Sequence, residues 1–287
     1  MSAEARVARV ALLGTGLLGS GMARRFLATG TQIVVWNRTQ AKARTLESDG
    51  AHVAATAEEA VTGADRVHFV LPDDAVVDGI LEGIRASLKK DAVVIDHSTT
   101  LPEATKGRAE RQRARGVRFL HAPVFMSPQM AQDGVGLMLV SGPTAIFEEV
   151  RPALAGMTGE VWHLGERPDL AAAYKLFGNC MLFAINAGLA DIMAMARANE
   201  VDAVEALALF TKFQPANVIA GRGPRMARGE SLPASFTVEM ARKDVRLMME
   251  AARDQPLVAL PGVAQRMDRL IASGSRDHDL SAIGMPR

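Results

Sequence analysis

Residues 7–19 read VARVALLGTGLLG. An apolar run passes directly into Gly14-x-Gly16-x-x-Gly19, and helix-compatible residues follow as far as Gly30. A second apolar run, Thr31–Trp36, comes next. The order strand, glycine turn, helix, strand is the one that holds a dinucleotide pyrophosphate. Gly14 allows the tight turn, Gly16 lets the backbone approach the phosphates, and Gly19 lets the helix lie close to the strand. The helix N-terminus supplies unpaired N–H groups and a partial positive charge to an anion.

Composition agrees with a globular binding protein. The chain has 287 residues, 48% hydrophobic, with a formal net charge of +1. That is enough for one large or two ordinary domains with a full core. There is no basic block, and two Trp and one Tyr offer little base stacking; nucleic acid is not an expected partner. A single cysteine, Cys180, excludes an internal disulfide and fits a reducing cytoplasm. Arginines ahead of an apolar run faintly mimic a signal peptide, but three glycines interrupt that run and strand-turn-helix explains it better.

Short apolar runs recur at Val7–Leu13, Thr31–Trp36, Val67–Leu71, Ala92–Asp96 and Val117–His121. Helical spacing fills the intervals Thr39–Asp49, Asp73–Leu88 and Pro102–Arg115. This alternation predicts an α/β fold with a doubly wound parallel sheet. Gly136–Ser141 and Val161–Leu164 are two further strand candidates, separated by a helix opening at Gly142-Pro143. The pattern then becomes purely helical: Asp169–Asn199, Ala203–Lys212, Pro215–Arg228, Thr237–Arg253 and Gly262–Ser273. The expected organisation is a Rossmann domain over residues 1–166 and an all-helical substrate and oligomerisation domain over 167–287. The uncharged stretch Leu176–Ala190 is too short for the ~20 residues of a bilayer span and contains Asn179 and Asn186. A buried core helix is expected there, and no membrane.

Cofactor choice is read at the end of the second strand. An acid there would bind the ribose 2′-hydroxyl of NAD. The chain has Trp36-Asn37-Arg38-Thr39 instead. An arginine fork suits a 2′-phosphate, and Thr39 is expected both to cap the next helix and to touch that phosphate. NADP is expected over NAD.

Hydride transfer to a carbonyl leaves a developing alkoxide, which needs a proton donor or cation beside it. Lys175 lies in the least polar helix of the chain, where an unpaired charge is costly. Asn179, four residues on, shares its face. The pair can hold a carbonyl and a second polar group of one substrate; alternatively Lys175 snorkels to water and Asn179 caps or packs. Lys243-Asp244 reads by itself as an ordinary solvated pair on an amphipathic helix. Ser98 and Thr99 read as a strand-to-helix cap before Pro102 or, at a parallel strand's C-terminal end, as ligand contacts. His97 and His121 stand alone, so no metal is expected.

Taken in order, these motifs resemble the β-hydroxyacid dehydrogenase family. Leu12-Leu13-Gly14-Thr15-Gly16-Leu17-Leu18-Gly19 with Met22-Ala23 is similar to its cofactor fingerprint. Leu71-Pro72 stands where the family's chain passes over the cofactor. Asp96-His97-Ser98-Thr99 with Pro102 matches a D-x-S-T-x-x-P stretch whose hydroxyls lie near the nicotinamide ribose. His121-Ala122-Pro123-Val124 falls where the family carries D-A-P-V-S-G-G, a substrate motif. Lys175 and Asn179 occupy the places of its catalytic lysine and substrate-binding asparagine, and Phe236 with Lys243-Asp244 matches F-x-x-x-x-x-x-K-D.

The resemblance implies Lys175 as the catalytic residue. It implies Asn179, Ser98, Pro123, Val124, Phe125, Met126 and Ser127 around the substrate. Gly14, Gly16, Leu17, Leu18, Gly19, Asn37, Arg38, Thr39, Leu71, Pro72, Thr99 and Lys243 are implied around the cofactor. The match breaks at Phe125-Met126-Ser127, where family members use a small Ser-Gly-Gly turn to hold a carboxylate, and Pro128 removes a further donor. The expected function is NADP-dependent hydride transfer to or from a small hydroxyacid, semialdehyde or related carbonyl, by a homodimer or homotetramer. An imine reductase of the same architecture is a variant, although those usually lack the helix lysine. A non-catalytic dinucleotide-binding module is the other class.

Overall fold

The computed structural model describes residues 8–285, so Val7 lies outside the described residues. The chain runs β1 (Val10–Leu13), α1 (Leu17–Ala28), β2 (Ile33–Trp36), α2 (Gln40–Arg44), β3 (His52–Val53), α3 (Ala57–Val61), β4 (Arg66–Phe69) and α4 (Asp74–Ile84). It continues through β5 (Val93–Asp96), α5 (Pro102–Ala114), β6 (Arg118–His121), β7 (Val124–Phe125), α6 (Pro128–Asp133), β8 (Leu137–Val140), α7 (Thr144–Ala155) and β9 (Glu160–His163). Helices follow: α8 (Leu170–Ala198), α9 (Ala203–Ala208), α10 (Asn217–Arg228), α11 (Val238–Ala251) and α12 (Leu260–Ala272).

Six strands form one parallel sheet in the order β3-β2-β1-β4-β5-β6. Val10 stands opposite both Ile33 and Arg66, so β1 and β4 meet where the strand order reverses. Both faces are covered, and β1 shows how the sequence achieves this. Successive side chains on a strand point to opposite faces. Val10 and Leu12 join one core cluster with Met22 and Phe26 of α1, while Ala11 and Leu13 join another with Val61, Phe69 and Leu81. A run with no polar alternation is therefore what a central parallel strand requires.

The last three strands form a separate sheet in the order β7-β8-β9, with β7 antiparallel to β8. Sequence periodicity misses β3, α3 and β7, which have two, five and two residues. Such pieces are shorter than any window in which a period shows. Pro143 takes the N-cap position of α7 and not a position inside it.

The chain divides into two compact units, one ending at Asn179 and one beginning at Cys180. Helix α8 carries the chain from the first into the second. The second unit contains helices and no strand among the described residues, with a core built from Val238, Ala241, Val245, Ala264, Met267 and Leu270. Asp191 fastens it by accepting from Ala259 N at 3.0 Å and Leu260 N at 2.8 Å at the start of α12.

The middle of α8 corrects one expectation. It is exposed, not buried: Phe177, Met181, Leu182, Phe183 and Ile185 are 47–70% accessible. By length and composition alone α8 is long and apolar enough to cross a membrane. Apolarity alone does not say that these side chains turn to the chain's own core.

Candidate active site

The glycine turn sits at the C-terminal edge of the sheet. Gly14 has φ +101°, and a Cβ there would lie 2.1 Å from the Val70 carbonyl oxygen. A Cβ on Gly19 would lie 1.9 Å from the Gly14 carbonyl oxygen. Both positions exclude any side chain on steric grounds. At Gly16 a Cβ would meet no protein atom within 4 Å. Its bareness keeps room for a ligand, not for the fold. Gly16 is the N-cap of α1, with no side-chain cap and no acid in the first turn, so the helix presents its amides to an anion.

A cavity of about 620 Å³ opens in front of this turn. Nine residues expected to bind the cofactor line it: Gly14, Gly16, Leu17, Leu18, Asn37, Arg38, Thr39, Leu71 and Pro72. Gly19 supports the turn from behind. Asn37 fixes the far wall, because its Oδ1 accepts from Thr15 N at 3.1 Å and its Nδ2 donates to the Thr39 carbonyl at 3.0 Å. Arg38 and Thr39 are exposed beyond it. Thr39 holds the N-cap position of α2, but its hydroxyl makes no cap bond.

Sequence reasoning misses Lys42, Trp36, Val76 and Ile80, which also line the cavity. Lys42 follows Arg38 by four residues, and that spacing is the signal that could have found it. Trp36, Val76 and Ile80 give part of the cavity lining an apolar character.

Two loops flank the cavity. Ser98 Oγ accepts from Leu71 N at 2.9 Å, and Ser98 N donates to Asp96 Oδ1 at 2.9 Å. Ser98 is 2% exposed, so its hydroxyl ties the loops together, while the neighbouring Thr99 is exposed. Beneath them His68 Nδ1 and His97 Nε2 are 2.9 Å apart, and His97 Nδ1 donates to the Ala122 carbonyl at 2.7 Å. Burial pushes the His97 imidazole down to about 4, and burial and the neighbouring His97 push His68 well below its ordinary value. Both rings are neutral at physiological pH.

Lys175 is half-buried on α8 and makes no salt bridge among the described residues. Its Nζ lies 4.1 Å from the centre of the Phe125 ring. That contact stabilises a cation by ~0.5–2 kcal/mol. Burial nevertheless lowers the ammonium below the ordinary lysine value of 10.5. The ring also rests against Gly178, where a Cβ would come within 2.2 Å of Phe125 Cζ. Phe125 therefore lies along α8 between Lys175 and Gly178, and Asn179 follows on the lysine's face.

The other residues of the expected substrate group take different places. Val124 belongs to the sheet core, and the Pro123 carbonyl accepts from Leu139 N at 3.0 Å. Met126 packs towards the core and over Gly136. Ser127 is the N-cap of α6, its Oγ accepting from Met130 N at 3.2 Å, with Pro128 in the first helical position. Lys243 lies exposed in the second unit and pairs with Asp244 at 2.8 Å.

Residues 9–165 match the family model described as the NAD binding domain of 6-phosphogluconate dehydrogenase. Residues 170–285 match the one described as NAD-binding of NADP-dependent 3-hydroxyisobutyrate dehydrogenase. The chain is 28% identical over 290 residues to an NAD-dependent L-serine dehydrogenase of Pseudomonas aeruginosa, covering 96% of each. It is 29% identical over 289 residues to the 3-sulfolactaldehyde reductase of Escherichia coli, covering 96% of this chain and 95% of that one. A solved reductive aminase from Aspergillus terreus, in complex with NADPH and ethyl levulinate, superposes with a TM-score of 0.86 at 26% identity, over 96% of this chain and 98% of that one. With the glycine cradle, the two flanking loops and the desolvated lysine in place, the chain belongs to the β-hydroxyacid dehydrogenase family and is an NAD(P)-dependent oxidoreductase.

Proposed function

We propose that this protein is an NADP-dependent reductase or dehydrogenase of a small carbonyl compound whose reacting end carries apolar substituents. The single observation that carries this reading is Lys175, half-buried, with no ion pair among the described residues, and faced by the Phe125 ring where the family resemblance implies a small polar turn. The nicotinamide supplies or accepts a hydride when bound. The residues of the chain do the rest. Amides at Gly16–Gly19 would hold the pyrophosphate, Trp36, Val76 and Ile80 would receive the adenine, and Arg38 and Lys42 would hold the 2′-phosphate. Lys175 Nζ gives its proton to the alkoxide oxygen during reduction and takes it back from the hydroxyl during oxidation. Comparison of kcat/KM for NADPH and NADH on one carbonyl tests the cofactor half; a preference for NADH contradicts it.

Phe125 is the residue expected to set substrate choice. A substrate carboxylate facing the ring would lose solvation without gaining a partner, whereas apolar surface against it contributes roughly 1.5–3 kcal/mol. Phe125→Ser should raise the efficiency on short hydroxyacids or their semialdehydes relative to bulkier, uncharged carbonyls by about tenfold. Met126→Gly, which removes a side chain packed towards the core, should lower the melting temperature and leave that ratio unchanged. Equal loss on both substrate types in Phe125→Ser would remove Phe125 from the site. The same apolar wall favours, as a second reading, reduction of an imine; Lys175 weighs for the carbonyl.

The exposed middle of α8 supports a homodimer. Residues 174–190 span about 25 Å at 1.5 Å per residue, short of the ~30 Å of a bilayer core. The stretch carries Lys175, Asn179 and Asn186, and its two ends are built into folded units. A second copy is the cover these properties fit. Sedimentation should give a dimer, and Phe183→Glu should shift it to monomer; a monomeric wild-type protein overturns this part.

A further inference from the structure

Arg108 is completely buried, and among the described residues no other arginine or lysine is. It sits on α5, a helix that otherwise reads as a solvated polar surface element. Its guanidinium is shared among three carboxylates. Nε donates to Asp78 Oδ1 at 2.8 Å, Nη2 donates to Asp74 Oδ1 at 2.7 Å, and Nη1 stands 3.7 Å from Asp96 Oδ2. Arg111 reaches the same Asp78 from one turn further on, at 3.2 Å. His121 approaches Asp96 Oδ2 from β6 at 3.6 Å. An acid at this position would set a second carboxylate against buried Asp96; the imidazole does not, and one arginine serves Asp96 as well as Asp74 and Asp78.

These carboxylates are the roots of the two loops beside the dinucleotide cavity. Asp74 Oδ2 accepts from Leu101 N at 2.9 Å, joining the start of α4 to the end of the Asp96–Leu101 loop. Asp96 Oδ1 holds Ser98 N, and Ser98 Oγ holds Leu71 N, whose side chain lines the cavity. Every link from Arg108 to Leu71 is therefore a charge contact or a hydrogen bond. A buried charge of this kind rarely adds stability over an apolar residue of equal volume. Its use is to fix geometry.

We propose that Arg108 is a positioning residue for the cofactor, its buried guanidinium setting the relative placement of the Leu71–Asp74 and Asp96–Leu101 loops, with His121 completing the surroundings of Asp96. The inference rests on a dinucleotide occupying this cavity and not on which of the two it is.

The test is fluorescence titration of NADPH and NADH into Arg108→Met, with the melting temperature measured alongside. The expected result is a tenfold or larger rise in Kd for both cofactors by the same factor, together with a lowered melting temperature, since Asp96 keeps its buried charge without the cation. Unchanged Kd values with a large loss of melting temperature would make Arg108 a purely structural residue. A loss confined to NADPH would place the effect at the 2′-phosphate end and also overturn the proposal. If Arg108→Met does not fold, Arg108→Lys combined with Ser98→Ala decides. Acting through one chain of bonds, the double variant should weaken binding no more than Ser98→Ala alone; multiplication of the two single effects contradicts the relay.

Discussion

Lys175→Ala is expected to cut turnover by roughly 10²–10⁴, the range a positioned general acid contributes, while NADPH binds almost as before. The reason is local. Lys175 lies on α8 beside the Phe125 ring and not among the residues lining the dinucleotide cavity, so its removal touches proton transfer and leaves the cradle intact. The pH profile supplies a second reading of the same group. Reduction needs the ammonium, so kcat in that direction should fall as pH rises through the lysine's value in the complex. Burial lowers that value, which places the falling limb below pH 10.5. Oxidation needs the free amine, and its rate should rise over the same interval. A folded, cofactor-binding Lys175→Ala protein that keeps more than about a tenth of wild-type turnover would remove Lys175 from the mechanism.

Arg38→Asp should weaken NADPH by roughly ten- to hundredfold and NADH far less. A charge-assisted contact of ~1.5–3 kcal/mol corresponds to that factor. The geometry isolates the effect: Asn37, not Arg38, makes the hydrogen bonds that hold this corner to the glycine turn. Arg38 itself is exposed at the rim of the cavity, with Lys42 beside it on the same wall. The introduced carboxylate repels a 2′-phosphate and can accept from a 2′-hydroxyl, so NADH binding should hold or improve. Equal weakening of both cofactors would falsify the placement of the 2′-phosphate.

What could be read beforehand follows from how far each signal reaches along the chain. The glycine turn is local: three positions with distinct steric demands lie within six residues, and two of them prove to have no room for a Cβ. Five of the six strands of the parallel sheet follow from apolar runs long enough to show, whereas the sixth, β3, and β7 of the smaller sheet, with two residues each, carry no period. Lys175 is legible because a charge in an apolar helix is costly wherever that helix packs. Arg108 is not, because one arginine among three in a polar helix gives no sign that it alone turns inward. In its motif Ser127 reads as a ligand residue, yet a serine followed by proline at a helix start is equally a cap, and that is the bond it makes. The exposure of α8 is not legible because an apolar run reads the same whether its side chains turn to the chain's own core or outward.

The most direct test of the central claim is NADPH consumption by the wild-type protein across a panel of semialdehydes, ketoacids, simple aldehydes and ketones, and imines. Saturable turnover of an apolar carbonyl compound, faster than with NADH and abolished in Lys175→Ala, is the predicted result. Tight NADPH binding with no turnover of any carbonyl, or turnover of imines alone that survives Lys175→Ala, would contradict it.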